Sequence, residues 1–201
     1  MFTALLDTCV LWPSLQRDFL LSLAVERIYR PAWSSAILRE LEYHETAKLV
    51  RRGEDQATAA SRAGSLITQM RAAFDDAETP GWEHLEGTYG LPDPDDEHVV
   101  AAAVTAHADA IITLNVKDFP HSKLPDGLAV IQPADFAARI TTLDPFRSLA
   151  AVSSIAARSG RKGSRRTLRE ILDILENRYA MDDAAKELRQ AEAQKRLFPG
   201  T

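Results

Sequence analysis

Short apolar runs alternate with stretches of helical spacing through the first 140 residues, and this alternation constrains the fold more than any other feature of the sequence. A strand, a helix and a second strand make a βαβ unit, and a series of such units makes a parallel sheet covered on both faces. The first run is Phe2–Leu6 (FTALL), a weaker strand is expected over Ile28–Trp33, and Ala110–Leu114 (AIITL) and Leu128–Ile131 follow. Helical spacing appears over Arg17–Arg27, where Phe19, Leu20, Leu23 and Ala24 share a face. It returns after Ser34 or Ser35, either of which suits an N-cap, with Ile37, Leu38 and Leu41 facing inward. One long charged helix is expected over Ala47–Phe74, although Gly53 and Gly64 would each cost about 1 kcal/mol within it. Pro80–Pro94 is rich in turn residues, Asp96 opens an Ala- and Val-rich helix through Ala106, and Asp135–Ile140 reads as helix. The fold class expected is α/β with a central parallel sheet.

In such sheets ligands bind beyond the carboxyl ends of the strands, so each acidic residue can be judged by whether it stands there. Asp7 follows the first strand directly in LLDTCVL, and Asp118 lies just past AIITL in TLNVKDFP. Asp96 starts the central helix in DPDDEHVVAAA, and Glu40 lies on the SSAILRELEYH helix, off its apolar stripe. Taken singly, each has a structural reading: a turn residue, a helix cap or a solvated carboxylate. Together, several carboxylates in one crevice repel one another unless a cation neutralises them. Hard oxygen ligands suit Mg²⁺ or Mn²⁺, which can activate a water and stabilise charge on a phosphate. Four acids without a cysteine or histidine cluster point to phosphodiester hydrolysis rather than zinc chemistry. Asp93 and Asp95 stand close to Asp96, and either is an alternative for its role.

The blocks LLDTCVL, SSAILRELE and DPDDEHVVAAAVTAHADAIITLNVKDF, in that order, resemble the PIN-domain ribonucleases, in particular the VapC toxins of bacterial toxin–antitoxin pairs. The resemblance covers about residues 3–140 and implies a small α/β/α sandwich. It also implies Mg²⁺- or Mn²⁺-dependent RNA cleavage that leaves a 5′-phosphate. Asp7, Glu40, Asp96 and Asp118 match the family's four acids, with Asp7, Asp96 and Asp118 as the expected metal ligands. Thr113 and Asn115 match the small polar positions beside the fourth acid. A toxin of this kind implies a cognate antitoxin protein laid over the crevice, and family members often form homodimers.

Two domains are expected: a PIN-like nuclease domain over 1–145 and a helical, basic extension over 146–201, similar to that of a longer VapC-like subgroup. Charge divides along nearly the same line. Residues 1–146 hold 12 Lys and Arg against 22 Asp and Glu, whereas 147–201 hold 12 against 7, within an overall charge of −5. An acidic body suits a cation and a basic tail suits a polyanion. In the tail, Asp144–Pro145 opens a helix with Leu149, Val152, Ile155 and Ala156 on one face. Thr167 and Glu170 fit a capping box, and a last helix is expected over Asp182–Leu197. The stretch between, RSGRKGSRRTLR, is expected to loop and to bind RNA phosphates through Arg158, Arg161, Lys162, Arg165 and Arg166.

The remaining candidates are weaker. Cys9, the single cysteine, excludes an internal disulfide and is expected to be a packed thiol, with the reducing cytoplasm as the default compartment. His98, two residues past Asp96, is expected to point away from it as a structural or solvated side chain. Trp12, Trp33 and Trp82 read as core or rim residues. The longest charge-free run is the eleven residues His98–Ala108, too short to span a membrane. Asp-nucleophile phosphotransferases also carry Asp after the first strand, but many need a second Asp where this chain has Cys9. An RNA-binding or regulatory protein that kept the fold and lost catalysis is the other alternative.

Overall fold

A computed structural model describes residues 1–160 and 164–197. Five strands form one sheet in the order β3-β2-β1-β4-β5: β1 (Thr3–Leu6), β2 (Arg30–Ser34), β3 (Glu78–Thr79), β4 (Ala110–Ile112) and β5 (Ala129–Ile131). Every adjacent pair is parallel, with Leu5 opposite both Ala32 and Ile111. The central strands β1 and β4 are buried throughout, which is why their sequences are unbroken apolar runs rather than alternating ones. The expected α/β class is thus the observed one: a parallel five-stranded sheet flanked by helices, with a helical C-terminal part.

The helices are α1 (Thr8–Leu11), α2 (Ser14–Val25), α3 (Ser35–Arg51), α4 (Gln56–Ala73), α5 (Glu97–Thr105), α6 (Pro133–Leu143), α7 (Pro145–Arg158), α8 (Leu168–Tyr179) and α9 (Asp182–Leu197). Contacts group them into two units. The first holds Phe2–Trp12 and Arg30–Ile131, and so the whole sheet with α1, α3, α4 and α5. The second holds Met1, Pro13–Tyr29 and the chain from Gln132 onward, and so α2 and α6 to α9.

In the sheet unit, α5 packs across β2, β1 and β4. Its Val99, Val100, Ala101, Ala102 and Ala103 are all buried, and the alanines let the helix axis approach the strands closely. The single helix expected over Ala47–Phe74 is a correction: the chain breaks there into α3 and α4. Gly53 takes φ +96°, a conformation a helix cannot continue through, and Asp55 then caps α4 by accepting from the Thr58 amide at 3.0 Å. Gly64, by contrast, stays inside α4, where a Cβ would meet Glu42 Oε1 at 3.2 Å, so it permits the close approach of α3 and α4. Strand β3 has only two residues and no apolar run of its own; the Trp33 amide, donating to the Ala77 carbonyl at 3.0 Å, helps to hold it.

In the helical unit, α7 packs on α2, and α9 on α6, α7 and α8. Tyr29 meets Phe136 edge to face at 4.9 Å and donates its hydroxyl to the Leu20 carbonyl at 3.0 Å. Asp144 caps α7 through the Arg147 amide, and the Thr167–Glu170 capping box opens α8. Such short amphipathic helices need this mutual packing, since alone they would not hold.

Candidate active site

The strand order fixes where a site can form. From β1 the chain builds outward to β2 and β3, then crosses back to place β4 and β5 on the other side of β1. The switch point therefore lies between β1 and β4, and a crevice opens beyond their carboxyl ends. Asp7 is the first residue past β1, and its amide donates to the Ile112 carbonyl at 3.1 Å. Thr113 is the first residue past β4, followed by Asn115 and, in a short 3₁₀ turn, Asp118.

Asp7, Thr113 and Cys9 form one network with the Leu114 and Asn115 amides. Thr113 Oγ1 donates to Asp7 Oδ2 at 2.6 Å and itself accepts from the Asn115 amide at 3.0 Å. The Cys9 thiol donates to the same Asp7 oxygen at 3.1 Å, and the Leu114 amide donates to Cys9 Sγ at 3.3 Å. Burial and the neighbouring Asp7 charge push the Cys9 thiol up to about 12, so it remains protonated and acts as a donor. Asp7 is buried and its Oδ2 orientation is set by two protein donors.

Asp96 approaches from the start of α5. Although it stands at the N-cap position, its side chain makes no capping bond, whereas Asp93 spends its carboxylate on the Asp95 amide at 3.0 Å. Asp95 is exposed. Burial, then repulsion from Asp7, Asp93 and Asp118 in that order, pushes the Asp96 carboxyl up to about 6 against the pull of His98. Asp7, Asp93 and Asp118 therefore lie near enough to Asp96 to act on its charge.

Glu40 comes from the second turn of α3, which the buried Ser34 starts by accepting from the Ile37 amide at 3.1 Å. Its Oε2 accepts from Thr8 Oγ1 at 2.6 Å and its Oε1 pairs with His98 Nε2 at 3.0 Å. Desolvation alone would raise its pKa, but the bonds from His98 and Thr8 and the charges of His98 and His44 outweigh it, and the net shift is downward. His98, expected as a structural or solvated side chain directed away from Asp96, is buried against Glu40 and lies within range of the Asp7 charge. Burial lowers its pKa, and Glu40, Asp7 and Glu86 more than reverse that. No sequence signal joins His98 to Glu40, because the contact depends on how α5 and α3 sit on the sheet.

Glu97 also escaped the sequence. It is buried, and its carboxylate accepts from the Leu91 and Tyr89 amides at 2.7 and 3.0 Å, tying down the loop that precedes Asp93. Desolvation opposes its charge, but these backbone bonds prevail and its pKa falls. In the basic stretch, Arg158 is held by Asp18 and by Ser22 Oγ within the helical unit. Arg165 and Arg166 are exposed, the Arg166 amide donating to Ser159 Oγ at 2.9 Å. Arg161 and Lys162 lie outside the described residues.

Among the described residues, no three His, Cys, Asp or Glu side chains stand close enough to make a ready-formed metal cage. The donor set nevertheless fits a hard divalent cation that keeps most of its waters: carboxylates in mutual repulsion, and no thiolate or imidazole cluster. No helix among the described residues is long and apolar enough to cross a membrane.

A parallel sheet with acidic residues near its switch point defines the class: an α/β protein with a polar crevice at the strand ends. The family model for the PIN domain matches residues 3–117, more than half of the chain, and the chain belongs to that family. PIN domains are generally nucleases, so hydrolytic cleavage of nucleic acid is the kind of activity this fold carries. The matched region ends one residue before Asp118. No curated protein and no solved structure matches the chain significantly.

Proposed function

We propose that this protein is a metal-dependent endoribonuclease and the toxin of a toxin–antitoxin pair, with the nuclease domain over 1–145 and a helical, basic extension over 146–201. The observation that supports it most is the meeting of Asp7, Asp96 and the Thr113–Asp118 segment beyond the adjacent parallel strands β1 and β4. In this reading Asp7, Asp96 and Asp118 hold the cation, and Glu40 is the fourth catalytic acid. Bound Mg²⁺ or Mn²⁺ would supply an activated water and neutralise charge on the phosphate.

The protein's own groups do the rest. Thr113 and Cys9 fix the orientation of Asp7 through Oδ2. His98 and Thr8 hold Glu40 ionised and aimed, so that it can take a proton from the attacking water. Attack on phosphorus breaks the P–O3′ bond, the proton passes to O3′, and the products are a 3′-hydroxyl and a 5′-phosphate. Asn115 supports the segment that carries Asp118. Arg158, Arg161, Lys162, Arg165 and Arg166 are proposed to meet the RNA backbone, with Arg158 contributing only when it leaves Asp18.

The test is to map RNA 5′ ends after controlled induction, with Asp7→Asn as the control. New 5′-phosphate ends and growth arrest with wild type only, relieved by co-expressing the neighbouring reading frame, support the reading. Purified wild type that binds RNA but cuts none with Mg²⁺ or Mn²⁺ favours the RNA-binding or regulatory alternative instead.

A further inference from the structure

A nuclease crevice has to admit a polyanion, yet this one lies in an acidic unit. The sheet unit holds nine Lys and Arg against eighteen Asp and Glu. Four of those cations are engaged in ion pairs: Arg30 with Asp76, Lys48 with Glu45, Arg62 with Glu54 and Arg71 with Glu78. Of the rest, Lys123 stands on the loop that carries Asp118, five residues further along. It is exposed and makes no ion pair among the described residues.

Two held loops position this lysine. The first leaves β4 as two 3₁₀ turns, Val116–Asp118 and His121–Lys123, with Phe119 buried between them. The Asp118 amide donates to the Asn115 carbonyl at 2.9 Å, and the Lys123 amide to the Pro120 carbonyl at 2.8 Å. The second loop leads into α5, and the buried Glu97 carboxylate grips its Tyr89 and Leu91 amides on either side of Gly90. Gly90 takes φ +65°, a conformation that side chains disfavour, and Lys123 Nζ lies 3.5 Å from where its Cβ would stand. Lys123 therefore reaches from the segment that carries Asp118 to the segment that leads to Asp96. It sets one positive charge where those two segments meet, with no protein carboxylate to neutralise it there.

We propose that Lys123 is a substrate-positioning residue: its ammonium receives a backbone phosphate of the RNA strand where the Asp118 and Asp96 segments meet, and so draws the strand over acids that would otherwise repel it. The proposal rests on the ribonuclease reading and adds to it a residue that touches substrate. An exposed ammonium without a counter-ion complements a phosphate by charge and by its donors, whatever base the nucleotide carries. The contact is separate from Arg158, Arg165 and Arg166, which belong to the helical unit.

The test is fluorescence anisotropy with a labelled oligouridine of about ten nucleotides, titrated at several KCl concentrations. Ca²⁺ replaces Mg²⁺ to hold off cleavage while still suiting oxygen ligands. Lys123→Gln is expected to weaken binding about threefold, the scale of one exposed ion pair. It should also lower the slope of log Kd against log[KCl] by about 0.7, the share of one phosphate contact on a single strand. Lys123→Arg is expected to keep the wild-type slope. Arg51→Gln makes the same charge change in the last turn of α3 and is expected to leave the slope unchanged. An unchanged slope in Lys123→Gln overturns the proposal, as does an equal drop in Arg51→Gln, which would mark a general field rather than a contact. Wild type that binds no oligouridine overturns it too. An unchanged slope with lost binding of the neighbouring frame's product assigns Lys123 to a protein partner and also overturns it. A lowered slope in a protein that cuts no RNA with Mg²⁺ or Mn²⁺ keeps the contact and defeats the ribonuclease reading, whereas a cutting enzyme with an unchanged slope does the reverse.

Discussion

At the scale of single residues, the account turns on how each carboxylate is held. Asp96 carries the clearest pH signature. Its folded carboxyl is pushed up to about 6 from 3.8, so in metal-free protein it stabilises the fold when protonated. That contribution is complete below the unfolded value and is lost as pH rises through about 6. Asp96→Asn should accordingly raise the metal-free Tm at pH 7 by about 2–4 °C, a gain discounted for solvent screening of this half-buried group, and give no gain near pH 4. Thermal melts in chelator at the two pH values check this. Thr113→Val removes one of two donors to Asp7 Oδ2 while keeping the shape of the side chain. Cleavage should fall about tenfold or more, alongside a stability loss of about 1–3 kcal/mol from the buried Asp7 oxygen that loses a donor. His98→Ala leaves Glu40 without its imidazole and empties a buried position beside Trp82. A loss of about 1–3 kcal/mol is expected in denaturant unfolding, with His98→Gln recovering part of it.

Elements differ in how much of them the sequence carries. Strands β1 and β4 are buried on both faces, so unbroken apolar runs announce them and, with them, the positions of Asp7, Thr113 and Asn115 at their ends. Helix α9 falls over the residues expected from its spacing, and the Thr167–Glu170 capping box is a local motif that needs nothing distant. Thr167→Ala should therefore cost about 1 kcal/mol, read as a lower midpoint in urea with activity retained. The break between α3 and α4 was harder to see, because helical spacing runs through it and only the left-handed Gly53 divides it. Strand β3 left no trace, being two residues stabilised by a neighbour. The pairing of His98 with Glu40 and the grip of Glu97 on the Tyr89–Leu91 amides were illegible for the same reason: each partner is supplied by a part of the fold that local pattern does not specify.

At the scale of the whole molecule, charge divides along the chain. The sheet unit brings Asp7, Asp93 and Asp118 within electrostatic reach of Asp96 at the point where strand order reverses. In the proposed function a bound cation relieves that repulsion, and the basic residues past 146 are proposed to meet the anionic substrate. The most direct measurement is binding of Mn²⁺, followed by its electron paramagnetic resonance signal, to wild type and to Asp96→Asn. The account predicts a saturable site in wild type that weakens about tenfold or more in the variant. Equal binding by both proteins, or no binding by wild type, would contradict it.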